Sequence, residues 1–167
     1  MKELTKQNLG AALAGESQAN IKYQAFAAQA QKEHKPNIAR LFTAIAHAEQ
    51  VHATNHLREL GYIGKADANL GAAVEGENFE VDVMYAAYMA VAEAQGETGA
   101  YRTMHYAIEA EKIHAGLYAD AKKSADAGQD IDIDKVYVCP VCGFTHIGEP
   151  PEHCPVCNTK RERFSAF

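Results

Sequence analysis

A chain of 167 residues is long enough for one domain of ordinary size and a small appendage. Its formal net charge of −6 argues against a nucleic-acid-binding surface, which needs a basic patch. No apolar run approaches the roughly 18 residues of a membrane-spanning helix, and Met1-Lys2-Glu3-Leu4-Thr5-Lys6-Gln7 lacks the apolar stretch of a signal peptide, so the expected compartment is the cytoplasm.

From about residue 3 to 32 the pattern is helical, with Leu9, Leu13, Glu16, Ala19, Tyr23, Phe26 and Ala30 on one face. His34-Lys35-Pro36 breaks it, and Pro36 suits the first turn of a second helix. That helix is predicted to reach about Leu60, where Gly61 can cap its end. Its stripe of Ile38, Leu41, Phe42, Ile45 and Leu60 also contains Glu49. A short linker, Gly61-Tyr62-Ile63-Gly64-Lys65-Ala66, leads to Asp67, a good N-cap. The third helix is predicted over about 68 to 95, with Leu70, Val74, Glu77, Val81, Met84, Tyr88 and Val91 at helical spacing and Glu80 beside them. Glu93, thirteen residues past Glu80, is rotated by roughly 220° and faces away.

Gly96 precedes a fourth helix from about 97 to Ala127, where Tyr101, Met104, Ile108, Ala115 and Tyr118 surround Glu111. Residues 128–135 form a polar, acidic hinge, and 136–167 read as short strands and turns around cysteines. The expectation is a mainly α protein: a four-helix bundle over 1–127, the hinge, and a small metal-knuckle domain.

The polar residues on the apolar stripes are the informative ones. Glu49-x-x-His52 and Glu111-x-x-His114 each place a carboxylate and an imidazole side by side on a helix. A carboxylate on a core-facing stripe costs several kcal/mol uncompensated, and neither stripe offers a basic partner. A bound cation is the simplest compensation. The pattern also repeats: Glu16 precedes Glu49 by 33 residues and Glu77 precedes Glu111 by 34. One Glu from each of two helices and a Glu-x-x-His from each of two others is the ligand set of di-iron and di-manganese bundles. Glu80 adds a carboxylate to that set. Bridging carboxylates hold two such cations about 3.5–4 Å apart, and imidazole favours iron or manganese over calcium. A single Glu-x-x-His is common on solvated helices; two matched copies are not. Of the other histidines, His56 falls on a face similar to that of Glu49, His47 and His105 read as packed or surface residues, and His34 and His153 lie in loops. Tyr23 and Tyr85 are core residues by default, or phenols that hydrogen-bond a metal-bound carboxylate.

All four cysteines lie in the last 29 residues, as Cys139-Pro140-Val141-Cys142-Gly143 and Cys154-Pro155-Val156-Cys157-Asn158. Gly and Asn tolerate positive φ after each pair, which lets backbone N–H groups point at sulfur. Four thiolates suit zinc or one iron, in a reducing compartment, better than a disulfide framework suits this distribution. Tyr137, Phe144, His146, Phe164 and Phe167 are expected to pack over the cluster.

Ala14-Gly15-Glu16-Ser17-Gln18-Ala19, Ala48-Glu49-Gln50-Val51-His52, Gly76-Glu77-Asn78-Phe79-Glu80, Ala110-Glu111-Lys112-Ile113-His114 and the knuckles together resemble the rubrerythrin family along the whole chain. The resemblance implies a ferritin-like di-iron bundle with a C-terminal rubredoxin-like FeS4 domain, and reduction of hydrogen peroxide to water. It implies Glu16, Glu49, Glu77 and Glu111 as shared carboxylates, His114 as a terminal ligand, and His52 and Glu80 as ligands that exchange at one iron. It places Tyr23 and Tyr85 near the metal pair, and Cys139, Cys142, Cys154 and Cys157 around the third iron. It also implies an external electron donor, a reductase or rubredoxin-like protein.

One departure is the linker of about seven residues between helices two and three, which reaches roughly 24 Å extended. In a ferritin-like bundle those helices run parallel, so the chain must return along the bundle. Exchange of helix pairs within a homodimer or larger assembly would meet that demand. Two other readings stay open: a ferroxidase or iron-storage bundle, and a structural bundle carrying a zinc ribbon.

Overall fold

In the computed structural model, which describes residues 1–167, the chain divides into two units, Met1–Gly64 and Lys65–Phe167. The first is a hairpin of α1 (Glu3–Lys32) and α2 (Pro36–Glu59). His34 makes the turn in a left-handed conformation (φ 56°), and Pro36 opens α2 as predicted. Gly61 (φ 73°) ends it, where Tyr62 N–H reaches Leu57 O at 3.0 Å.

The buried residues of this hairpin are all alanines: Ala27 and Ala30 on α1; Ala39, Ala46 and Ala53 on α2. Small side chains bring the two backbones close enough for Asn20 Nδ2 to donate to Ala46 O at 2.7 Å. Tyr23, Phe26 and Phe42 form an aromatic cluster, with ring centroids 5.5–6.2 Å apart. The stripe expected to face a core is largely open here: Leu41 is 61% exposed and Ile38 47%. Two helices cannot cover each other's full apolar circumference, so large side chains remain uncovered where alanine seams close.

The second unit begins with α3 (Ala66–Phe79), a π-helical turn (Glu80–Met84) and α4 (Tyr85–Ala94), followed by α5 (Thr98–Asp126). The predicted third helix thus contains a wider turn in its middle. Asp67 is not the N-cap. Extended Lys65 occupies that position, and Asp67 sits in the first turn, where its charge complements the positive helix end. Beyond α5, Ile131 and Ile133 line a crevice of about 310 Å³ with Leu70, Leu117 and Tyr118. The segment expected as a polar hinge therefore also presents two exposed isoleucines to this crevice.

The knuckle module is built on a three-stranded antiparallel sheet: β1 (Val136–Val138), β2 (Thr145–Ile147) and β3 (Ser165–Ala166), in the order β2-β1-β3. Tyr137 pairs with His146 on one side and with Ala166 on the other. The architecture is mainly α with a small strand-containing module after it, as the sequence predicts.

Candidate metal centres

Three groups of donor atoms converge. In the first unit, α1 supplies Glu16 and α2 supplies Glu49 and His52, with ligand atoms within 4.8 Å of one another. His52 Nδ1 lies 3.0 Å from Glu49 Oε2, on an imidazole that is otherwise exposed. In the second unit, α3 supplies Glu77 and α5 supplies Glu111 and His114 within the same limit. There His114 Nδ1 lies 2.5 Å from Glu111 Oε2. The helical i, i+3 spacing brings each Glu–His pair together, and the neighbouring helix adds the third donor.

Electrostatics ties more residues to the second group. Burial, then a hydrogen bond with Glu111 and its charge, pushes the Glu77 carboxyl up to about 7. Burial and the Glu111 charge also raise Glu80. Burial raises the Tyr85 phenol, helped by the charges of Glu80, Glu111 and Glu77. Glu80 and Tyr85 thus feel this centre, although Glu80 stands outside the converged triad. Partly buried carboxylates crowded beside an imidazole form a donor set that a divalent cation relieves. Tyr23 packs against Phe26 and Phe42. His47 and His105 are exposed, and neither they nor His56 joins a group.

The third group is Cys139, Cys142, Cys154 and Cys157, all free thiols. The two knuckles repeat one geometry. Gly143 (φ 81°) and Asn158 (φ 61°) adopt the positive φ expected of them. Their N–H groups bond Cys139 O and Cys154 O at 3.0 and 2.9 Å. Across the module, Cys139 Sγ and Cys157 Sγ are 3.5 Å apart, and Cys142 Sγ and Cys154 Sγ 3.4 Å. Burial drives the Cys142 and Cys154 thiols upward. Burial would raise Cys157 too, but hydrogen bonds from the Thr159 side chain and backbone outweigh it and bring the thiol down to about 7. Four sulfurs at this spacing, with no other donor type, fit one tetrahedral zinc or iron.

Phe144 and Phe164 pack on the cysteines as expected, in a T-shaped pair 6.2 Å apart. His146 stacks on Phe144 at 6.1 Å. Phe167 does not belong: its backbone exchanges hydrogen bonds with Val136, but its side chain is 77% exposed and takes no part in the cysteine core. Two residues of α5 take part instead, Tyr106 and Ile113, which pack against the cysteine core. Thr145 is a further participant, with Oγ1 2.8 Å from His114 Nε2. No spacing rule marks these three residues, because each pairs positions far apart in the chain.

Against known families, residues 7–122 match the model for rubrerythrin and residues 137–165 that for the rubrerythrin rubredoxin-like domain. Rubrerythrin-2 of Clostridium acetobutylicum is 44% identical, the alignment covering 98% of this chain and 97% of that protein. Nigerythrin of Nitratidesulfovibrio vulgaris is 37% identical, covering 98% and 86%. A solved structure of fully reduced, all-ferrous nigerythrin aligns with a TM-score of 0.59 at 35% identity, covering 98% of this chain and 86% of that one.

Proposed function

The chain belongs to the rubrerythrin family, and on that premise we propose that it reduces hydrogen peroxide to water at a carboxylate–histidine di-iron centre, with electrons relayed through an iron held by the four cysteines. One observation carries the relay: Tyr106, Ala110, Glu111, Ile113 and His114 follow one another along α5. Tyr106 and Ile113 of that set pack on the cysteine core, and Glu111 and His114 belong to the metal-binding triad. A single helix thus serves both centres.

The reaction consumes one peroxide, two electrons and two protons and yields two waters. Bound here, two iron ions would supply two reducing equivalents and open coordination positions, and the thiolate-bound iron one exchangeable electron. Glu16, Glu49, Glu77 and Glu111 would be the carboxylates that hold the metals, with His114 as a further ligand. His52 and Glu80 are assigned to one metal position in alternation. Were a more highly charged cation held there, the Glu80 carboxylate would be favoured over the His52 imidazole as its ligand. Burial and the nearby carboxylates keep the Tyr85 phenol protonated beside this centre. An external reductase or rubredoxin-like protein supplies the electrons, and the cytoplasm is the compartment of action.

The short linker supports an exchanged assembly. Six residues separate α2 from α3, whereas the 24 residues of α2 span about 36 Å. Each triad supplies only part of a two-metal ligand set, and the first hairpin leaves Leu41 and Ile38 uncovered. A homodimer in which α1 and α2 of one copy complete the bundle of another meets all three demands. A monomer in sedimentation that still binds two bundle metals per chain tightly would exclude the exchange.

The function is tested by reducing the iron-loaded protein without air and adding hydrogen peroxide in sub-stoichiometric steps. Return of the ferric-thiolate colour within a few turnovers, much faster than in air, is expected. Colour that returns only with oxygen points to ferroxidase chemistry, and no thiolate colour at all points to zinc in the knuckles.

A further inference from the structure

Thr145 opens β2 and is held there by pairing with Val138 and by its place two residues after knuckle Gly143. Its hydroxyl makes two contacts: 3.0 Å to Gly143 O and 2.8 Å to His114 Nε2. A hydroxyl has one proton to give, and a carbonyl oxygen can only accept. With that proton on Gly143 O, the hydroxyl has only lone pairs left for His114. The Nε2 atom must then be the donor. A neutral imidazole carries one N–H, so Nδ1 is left with its lone pair, 2.5 Å from Glu111 Oε2 in the triad with Glu77. Two lone pairs at that distance require a cation or a proton between them.

We propose that Thr145 is a positioning residue: its hydroxyl, anchored on the cysteine knuckle through Gly143 O, fixes His114 as the Nε2–H tautomer and presents Nδ1 to the carboxylates as a metal ligand. The metal-ligand part rests on the assignment of Glu77, Glu111 and His114 as a metal site, not on the identity of the oxidant. The knuckle itself holds the hydroxyl in place, so folding of the cysteine module prepares the histidine on α5. An orienting partner behind a ligating histidine commonly changes metal affinity about 10- to 100-fold.

The test uses full-length, 15N-labelled protein loaded with zinc alone and long-range proton–nitrogen correlation of the histidine rings. Expected for the wild type is an exchange-protected His114 Nε2–H with Nδ1 metal-bound. Thr145→Ser should keep both features. Thr145→Val should lose the Nε2–H protection and weaken zinc at the carboxylate–histidine site by about tenfold, with the thiolate-to-cobalt band of cobalt-loaded knuckles unchanged as proof of folding. A proton on Nδ1 of wild-type His114, or a Thr145→Val protein with unaltered protection and zinc affinity, overturns the proposal. The wild-type spectrum decides even if the valine variant fails to fold. None of these readouts involves peroxide, so failure of the peroxidase reading would show separately.

Discussion

Gly143 and Ala110 meet where the knuckle module rests on α5: a carbon added at Gly143 would stand 3.7 Å from Ala110 Cβ, ordinary contact distance. Ala110 is only 2% exposed, so the joint has no spare room on the helix side. Ala110→Leu should wedge the module away, at a cost of roughly 1–3 kcal/mol typical of overpacking. The ferric-thiolate spectrum should persist, because the cysteines keep their own fold. Reoxidation of that iron by peroxide, followed by stopped flow, should slow several-fold or more.

Gly143 itself is constrained by its backbone rather than by its neighbours. At φ 81°, a side chain costs about 1–2 kcal/mol. Gly143→Ala should lower the melting temperature of the metal-loaded knuckle, whereas Gly143→Asn should lower it less.

The triad on α3 and α5 makes stability depend on pH. Folded, metal-free protein holds the Glu77 proton up to about pH 7, against an ordinary value of 4.5 in the unfolded chain. The folded state therefore binds more protons in that window, and stability falls as pH rises through it. Zinc displaces the proton, so its stabilising effect grows over the same range. Melting curves at about pH 5 and about pH 7.5, with and without zinc, should show both trends, and Glu77→Gln should flatten the metal-free one.

Metal uptake by the knuckles should release protons. Cys142 and Cys154 are held as thiols by burial, while Cys157 titrates at about 7. Zinc binding at neutral pH must therefore expel at least the protons of Cys142 and Cys154. Calorimetry in two buffers of different ionisation enthalpy measures the number. A value near zero would contradict this account of the thiols.

In the first hairpin, Asn20→Ala removes the bond to Ala46 O. A loss of about 1 kcal/mol is expected, read from denaturant unfolding of the full-length chain. Because the bond joins α1 to α2 close to Glu16 and Glu49, zinc affinity should fall with it.

Much of this was legible in the residues. Helical spacing located Glu16, Glu49, Glu77 and Glu111 on apolar faces, and local i, i+3 geometry paired the last partner of each hairpin with His52 or His114. The knuckles were legible because Gly143 and Asn158 serve short-range turns. What escaped was set by distant contacts or by competition at helix ends. Thr145 has no local signature, since its meaning lies in a histidine 31 positions earlier. Asp67 lost the capping position to Lys65 because the chain enters α3 two residues sooner. The openness of Leu41 and Ile38 reflects how little surface two helices can cover, which no periodicity records.

The π turn at Glu80–Met84 settles an arithmetic oddity in the two hairpins. Tyr23 follows Glu16 by seven residues, but Tyr85 follows Glu77 by eight; likewise Glu49 follows Glu16 by 33 and Glu111 follows Glu77 by 34. One extra residue in a regular helix would turn everything beyond it by about 100°. A π turn absorbs that residue as a bulge and hands the helix on in phase. Tyr85 is thereby returned to the side of Glu77, where it feels Glu80, Glu111 and Glu77 together. Between its matched glutamates the second hairpin is thus one residue longer than the first. Deleting a single residue within 80–84 should leave the downstream faces where they are, whereas a deletion within α4 should turn the helix faces beyond it away.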